Sequence, residues 1–194
     1  MKFTATMVLA ACLLVAADEP AKMPREAQSR FEPPSGPGAG QKFLGRFVGD
    51  WRVSKSFFPR SGEPIRAVGT CRQKMIHDGR FLQSDFVFEQ NDKKTTGQGL
   101  VGFESESGFF TSVWTDSRQT KMSFRQSRDT FDGERIVLYS KSVEPEGKDA
   151  RRSKTITHLD ANGNTLVHRQ YAIGADGEER LMMELVMVRE PAKT

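Results

Sequence analysis

An all-β fold, an antiparallel barrel of about ten strands with a short N-terminal helix closing one end, is what this sequence predicts. Three observations carry that reading. Turn chemistry recurs from residue 77 onward, at His77-Asp78-Gly79, Asn91-Asp92-Lys93, Ser107-Gly108, Asp132-Gly133, Glu146-Gly147, Asn162-Gly163 and Asp176-Gly177. Between the turns lie short runs rich in β-branched and aromatic residues. The strand series opens with Gly49-Asp50-Trp51, directly after a short amphipathic stretch, and closes on Arg189.

The chain has 194 residues, 37% hydrophobic and 28% charged, which suits one globular domain with tails. Its 17 glycines follow no short period and it has two cysteines, so it is neither collagenous nor disulfide-stapled. Residues 1–17 read as a signal peptide. Lys2 supplies a positive start, Phe3 to Ala16 an apolar stretch, and Val15-Ala16-Ala17 a small-residue cleavage context. This is shorter than the ~20 residues of a membrane helix, so no integral span is expected and the protein is placed outside the cytoplasm, periplasmic or secreted. Leu9-Ala10-Ala11-Cys12 also fits a bacterial lipobox that would lipidate Cys12. Against it, Leu13, Leu14 and Val15 carry the apolar run past that cysteine. Cleavage leaves Cys71 alone, without a disulfide partner, and it reads as a small buried hydrophobe on a strand. Losing Lys2 lowers the net charge of +4 by one, a weak pull toward anionic surfaces.

Residues 18–41, with Pro33-Pro34-Ser35-Gly36-Pro37-Gly38, are too poor in apolar residues to offset ordering and read as a disordered leader. The barrel domain is assigned to residues 42–191. Lys42 to Val48 sets Phe43, Leu44, Phe47 and Val48 on one stripe, one to two helical turns too short to stand without packing against the strands. Strands are expected at Trp51–Phe58, Ala67–Ile76, Phe81–Glu89, Thr95–Phe103 and Phe109–Thr115. Five more are expected at Thr120–Gln126, Arg135–Val143, Arg151–Leu159, Thr165–Ile173 and Leu181–Arg189. Asp116 to Gln119 holds the turn between the fifth and sixth.

Gly49-Asp50-Trp51 with Arg189 resembles the lipocalin superfamily, in which a Gly-x-Trp indole packs at the closed end beneath an arginine of the last strand. The physics is a cation–π contact between Trp51 and Arg189 that seals the barrel. More specific stretches are Phe47-Val48-Gly49-Asp50-Trp51, Gly79-Arg80-Phe81-Leu82, Gly97-Gln98-Gly99-Leu100-Val101-Gly102-Phe103-Glu104, Trp114-Thr115-Asp116 and Met183-Glu184-Leu185-Val186-Met187-Val188-Arg189. Through these the chain resembles the bacterial lipocalin-like (calycin-type) family called domain of unknown function 1579. Where that family usually carries Gly-Tyr-Asp, this chain has Gly102-Phe103-Glu104. The resemblance implies the fold and no agreed activity, and folds of this kind host carriers, haem proteins and enzymes.

The residues themselves offer few sites. Of the three histidines, His77 lies in a turn, and a hairpin centred on Asn162-Gly163 opposes His158 to Val167 and His168 to Thr157. The two imidazoles then point to opposite faces, so neither a metal site nor a haem site is expected. No nucleophile elbow, phosphate loop or dinucleotide fingerprint is present, and no cofactor is assigned. Gly97-Gln98-Gly99 inside a strand reads as a bulge or a close backbone approach at a barrel bend, not a phosphate site. The basic run Arg151-Arg152 with Lys154 reads as a solvated edge, not a nucleic-acid patch. The candidate ligand-binding residues are Arg72, Gln83, Asp85, Trp114 and Asp116, because same-face polar pairs inside a barrel need a partner or a ligand. The competing reading is that these groups pair with Arg72 and one another, or face water. The leading expectation is a binding protein that takes a small apolar or amphipathic ligand in its lumen. The alternatives are an enzyme of hydratase or isomerase type using Asp85 or Asp116, and a solid-core interaction module. For the last, Phe86, Phe88, Phe109, Phe110, Phe124, Met75, Met122 and Met187 would plug the lumen. No pattern specifies an oligomer.

Overall fold

The computed structural model describes residues 36–90, 93–141 and 152–191. The expected signal peptide with Cys12, most of the expected leader, the turn residues Asn91 and Asp92, the Glu146-Gly147 turn and Arg151 lie outside the described residues. Among the described residues one helix, α1 (Ala39–Gly45), precedes ten strands. These are β1 (Gly49–Phe57), β2 (Ile65–Ile76), β3 (Phe81–Gln90), β4 (Lys93–Glu104) and β5 (Phe109–Asp116). They continue with β6 (Ser123–Gln126), β7 (Arg135–Lys141), β8 (Arg152–Leu159), β9 (Thr165–Ile173) and β10 (Glu179–Arg189). Each strand pairs antiparallel with its sequence neighbours, and β1 pairs with β10 to close the barrel. The expected fold class is therefore the observed one.

Most strand ends lie within two residues of the sequence reading, and two elements differ by more. The helix starts at Ala39, so the end of the stretch expected to be disordered is ordered. The reason is a polar anchor that composition does not reveal. Gly38 N–H donates to Gln41 Oε1 (2.7 Å), and Gln41 Nε2 donates to the Phe103 carbonyl (2.7 Å), tying the helix start to β4. The sixth strand is only four residues long and meets β7 through the single pair Gln126–Tyr139, the thinnest seam of the barrel.

The helix buries Phe43 and Leu44, and the turn after it buries Phe47, over one end of the barrel. There Phe43, Phe103, Phe110 and Phe131 interlock, with ring centroids 4.8 Å apart for Phe103–Phe110 and 5.0 Å for both Phe43–Phe131 and Phe110–Phe131. Such tilted contacts suit the aromatic quadrupole and make a dry floor. Alternation puts Trp51, Val53, Cys71, Leu82, Phe86, Phe88, Leu166 and Met187 inside. Of the bulky residues expected to plug the lumen, Phe124 and Met122 instead face outward, 58% and 63% exposed. The hairpin register that sets Ser123 opposite Trp114 gives the inward places to Ser123 and Arg125 and turns their neighbours out.

Candidate functional site

At the floor, Trp51 is fully buried and its Nε1–H donates to the Phe47 carbonyl (2.9 Å). Trp51 pairs directly with Arg189 across the β1–β10 closure, and the guanidinium carbon stands 4.2 Å from the indole ring. Its N–H groups donate to three backbone carbonyls: Nε to Gly163 (2.9 Å), one terminal nitrogen to Val48 (2.5 Å) and the other to Arg46 (2.8 Å). Gly49 sits at φ 143°, and a Cβ there would stand 2.6 Å from that guanidinium. Glycine at this position suits the positive φ and leaves room for the arginine, which ties helix exit, first strand and last strand together.

Above this floor is a cavity of about 530 Å³. Its base is Leu44 and Phe47, its walls include Phe86, Phe88, Leu166 and Met187, and its rim carries Lys55, Asp116 and Arg118. The Trp114 indole is laid flat on the wall by Gly97, where a Cβ would stand 2.4 Å from a ring carbon. The glycine pair on β4 therefore makes room for an indole, the close approach expected of it.

Trp114 and Asp116 both line the cavity. Trp114 Nε1–H donates to Asp116 Oδ2 (3.1 Å), and Arg118 holds the same carboxylate through Nε (3.1 Å), a terminal nitrogen (2.9 Å) and its backbone N–H (2.9 Å). The Arg118 hydrogen bonds, joined by that of Trp114, keep the Asp116 carboxyl well below the usual carboxylate range. A group so firmly ionised is a poor proton carrier near neutral pH.

Arg72, Gln83 and Asp85 are placed outside the lumen, in the arrangement of mutual pairing and exposure that competed with a ligand-binding role for them. Leu82, Ser84, Phe86 and Phe88 take the inward positions of β3, so Gln83 and Asp85 point outward. There the Asp85 carboxylate accepts from Gln83 Nε2 (2.9 Å) and Gln98 Nε2 (2.9 Å). Arg72 lies opposite Asp85 in register but bonds Asp50 (2.8 Å) and is 71% exposed in its side chain. These groups satisfy one another on the outer wall. Asp85 has no access to the cavity, and the acid–base alternative loses one of its two carboxylates.

Further polar groups that reach the lumen include Gln73 and Arg125, which sequence reasoning passed over, and His168, which it weighed only as a metal or haem ligand. Gln73 Nε2 donates to Ser84 Oγ (2.9 Å), while its carbonyl oxygen is buried without a partner. Arg125 enters from β6, and its Nε–H is likewise buried and unpartnered. His168 enters from β9, with Nδ1 2.7 Å from the Thr157 hydroxyl. Burial, and then the charge of Arg125, push the imidazole down to about 4, so it is neutral at neutral pH. Lys55 at the rim is lowered by burial and stands 4.9 Å from the Phe88 ring centre. A hairpin centred on Arg118-Gln119 sets Ser123 opposite Trp114, and that arithmetic was the available signal for Arg125.

His158 and His168 sit in the register expected, opposite Val167 and Thr157, although the loop between β8 and β9 is longer than a two-residue turn. Both loops share the centre Asn162-Gly163, so pairing is unchanged. Among the described residues no three of His, Cys, Asp and Glu are grouped to hold a metal ion. Cys71 is buried, and its thiol is pushed far above its ordinary value by that burial. Lys154 pairs with Glu179 and lies 5.5 Å from the Tyr171 ring centre, a local outer-wall arrangement. No described helix is long and apolar enough to cross a membrane.

Comparison with known proteins supports the architecture. The family described as "Protein of unknown function (DUF1579)" matches residues 36–189. The crystal structure of Rv2717c from M. tuberculosis superposes with a TM-score of 0.59 at 12% sequence identity, covering 81% of this chain and 100% of that one. At that identity the likeness shows the fold alone. A search of curated proteins found no match.

Proposed function

The chain belongs to the DUF1579 family, whose description carries no function, and from that premise we propose a binding protein that holds one small apolar or amphipathic molecule in its lumen. The observation that carries the proposal is the cavity of about 530 Å³ above an aromatic floor, within the range of small-molecule sites. Apolar walls supply affinity at about 25 cal/mol per Å² of ligand surface buried, before the costs of association are subtracted. Trp114 is the natural reporter, because its indole lines the cavity whereas Trp51 lies sealed under Arg189. Access is from the end opposite Trp51, past Lys55 and Arg118. The proposal includes export: the signal-like residues 1–17 send the carrier to the periplasm or beyond, with Cys12 lipidation as the alternative anchor.

Titration with N-phenyl-1-naphthylamine, a neutral fluorescent probe, tests the reading. One probe per chain should bind saturably and quench Trp114 emission. Ser112→Trp, which places a bulky ring in the cavity wall, should abolish that binding while leaving the fold intact by circular dichroism. Absence of saturable binding to the wild-type chain favours the solid-core interaction module instead.

A further inference from the structure

The lumen carries a cation that nothing in the described protein neutralises. Arg125 projects inward from β6, its Nε–H has no acceptor, and among the described residues no carboxylate pairs with it. Burial alone lowers its pKa, since no anion opposes the desolvation. Leaving such a group unpaired costs free energy in every folded molecule, and native structures retain such groups where something else completes them.

Its surroundings are those of an anion seat. His168 keeps some accessible surface although protein encloses it, so that surface opens into the cavity. Nδ1 and the Thr157 hydroxyl share one hydrogen bond (2.7 Å); in the tautomer where the hydroxyl donates, the neutral ring carries its proton on Nε2, which no described protein group uses. On another part of the wall the Gln73 carboxamide offers one unpartnered end. Its rotation exchanges oxygen for N–H while the Ser84 hydroxyl serves either. Asp116, the acid lining the same cavity at its rim, is already neutralised by Arg118 and does not compete for Arg125.

We propose that the ligand is an amphipathic anion whose carboxylate-like head pairs with Arg125 and accepts a hydrogen bond from His168 Nε2–H, its apolar body filling the cavity among Phe86, Leu185 and Met187. This inference rests on the carrier reading above and adds the charge of the occupant. An arginine suits the role because its fork meets both oxygens of a carboxylate.

Displacement of N-phenyl-1-naphthylamine by dodecanoic acid and by dodecanol separates the two claims. At pH 7.5 the acid should displace the probe at about tenfold lower concentration than the alcohol, the scale of one charge-assisted hydrogen bond. In Arg125→Met that advantage should vanish while probe and alcohol bind as before, and Arg125→Lys should retain part of it. Imidazole NMR provides a second readout: the acid should raise the His168 pKa and the alcohol should not. Equal displacement by acid and alcohol in the wild type, with the probe bound, overturns the anion seat and leaves the carrier intact. An acid advantage that survives Arg125→Met overturns the assignment of Arg125. Failure of the neutral probe itself overturns both.

Discussion

The floor and the lumen of this barrel each turn an arginine inward, and the two arginines have opposite fates. Arg189 lies 4.2 Å from the Trp51 indole and gives its N–H groups to the carbonyls of Gly163, Val48 and Arg46. Arg125, in the cavity wall, has a buried Nε–H with no partner, and the Gln73 carbonyl oxygen shares its condition. One end of the molecule is thus complete in itself: its aromatic rings interlock, the tryptophan N–H is used, and three chain segments are tied together. The other contains open valences inside a space large enough for a guest. The difference locates stability and function in separate halves. Stability is concentrated where polar groups are satisfied, and the incomplete groups lie where a ligand meets them.

The comparison can be tested by pH first, where the largest effect is expected. His168 is held at about 4 in the folded barrel against an ordinary 6.5, so between those values the unfolded chain binds the proton and the native one does not. Stability contributed by this group is complete above pH 6.5 and falls as pH drops toward 4. The difference amounts to about 3 kcal/mol if the whole shift is realised. Urea melts of wild type and His168→Gln at pH 7.5, 5.5 and 4.5 should diverge in that direction. Parallel curves would show that the imidazole is solvated and the lumen wet.

Next comes the floor. Arg189→Ala removes the cation–π contact and three acceptor-bound N–H groups, and should cost about 2 kcal/mol. A cycle with Trp51→Phe should show coupling above about 0.5 kcal/mol. Strict additivity would mean that the stacked geometry contributes nothing.

The smallest expected effect has the opposite sign. Arg125→Met replaces a desolvated, unpaired cation by an apolar chain of similar length and should stabilise the empty protein by about 1 kcal/mol. Loss of stability in that variant would place Arg125 with Arg189 as a structural residue, and the contrast between the two halves would collapse.

Much of the architecture was readable before any coordinates. Gly- and Asp-centred turns and β-branched runs specified ten strands, with β9 matching its expected bounds from Thr165 to Ile173. The chain ends of the strand series brought Trp51 and Arg189 together because closing a barrel makes its first and last strands neighbours. The hairpin centre at Asn162-Gly163 likewise placed His158 and His168 on opposite faces.

The candidate site was less legible, and β3 shows why. Alternation says that Gln83 shares a face with Asp85 and that Phe86 shares the other with Phe88. Only the relative apolarity of the two faces says which is inside, and weighing it would have sent Gln83 and Asp85 outward. On β6 that same weighing misleads, because Phe124 is the apolar residue and yet it is Arg125 that turns inward.

By itself, then, the sequence determined local and pairwise properties: turn positions, strand count, the antiparallel order and the residues that oppose one another. These depend on backbone geometry and on neighbours a few residues away. Tertiary structure alone decided that α1 starts at Ala39, because Gln41 reaches the Phe103 carbonyl on β4. It also decided that the lumen keeps its space and that Arg125, Gln73 and His168 open onto it. Those outcomes depend on how all ten strands close around a common interior, where the inward volume left by Gly99, Ser84 and Ser112 is summed across walls far apart in the chain. A cavity is a property of that sum, and no single stretch of sequence contains it.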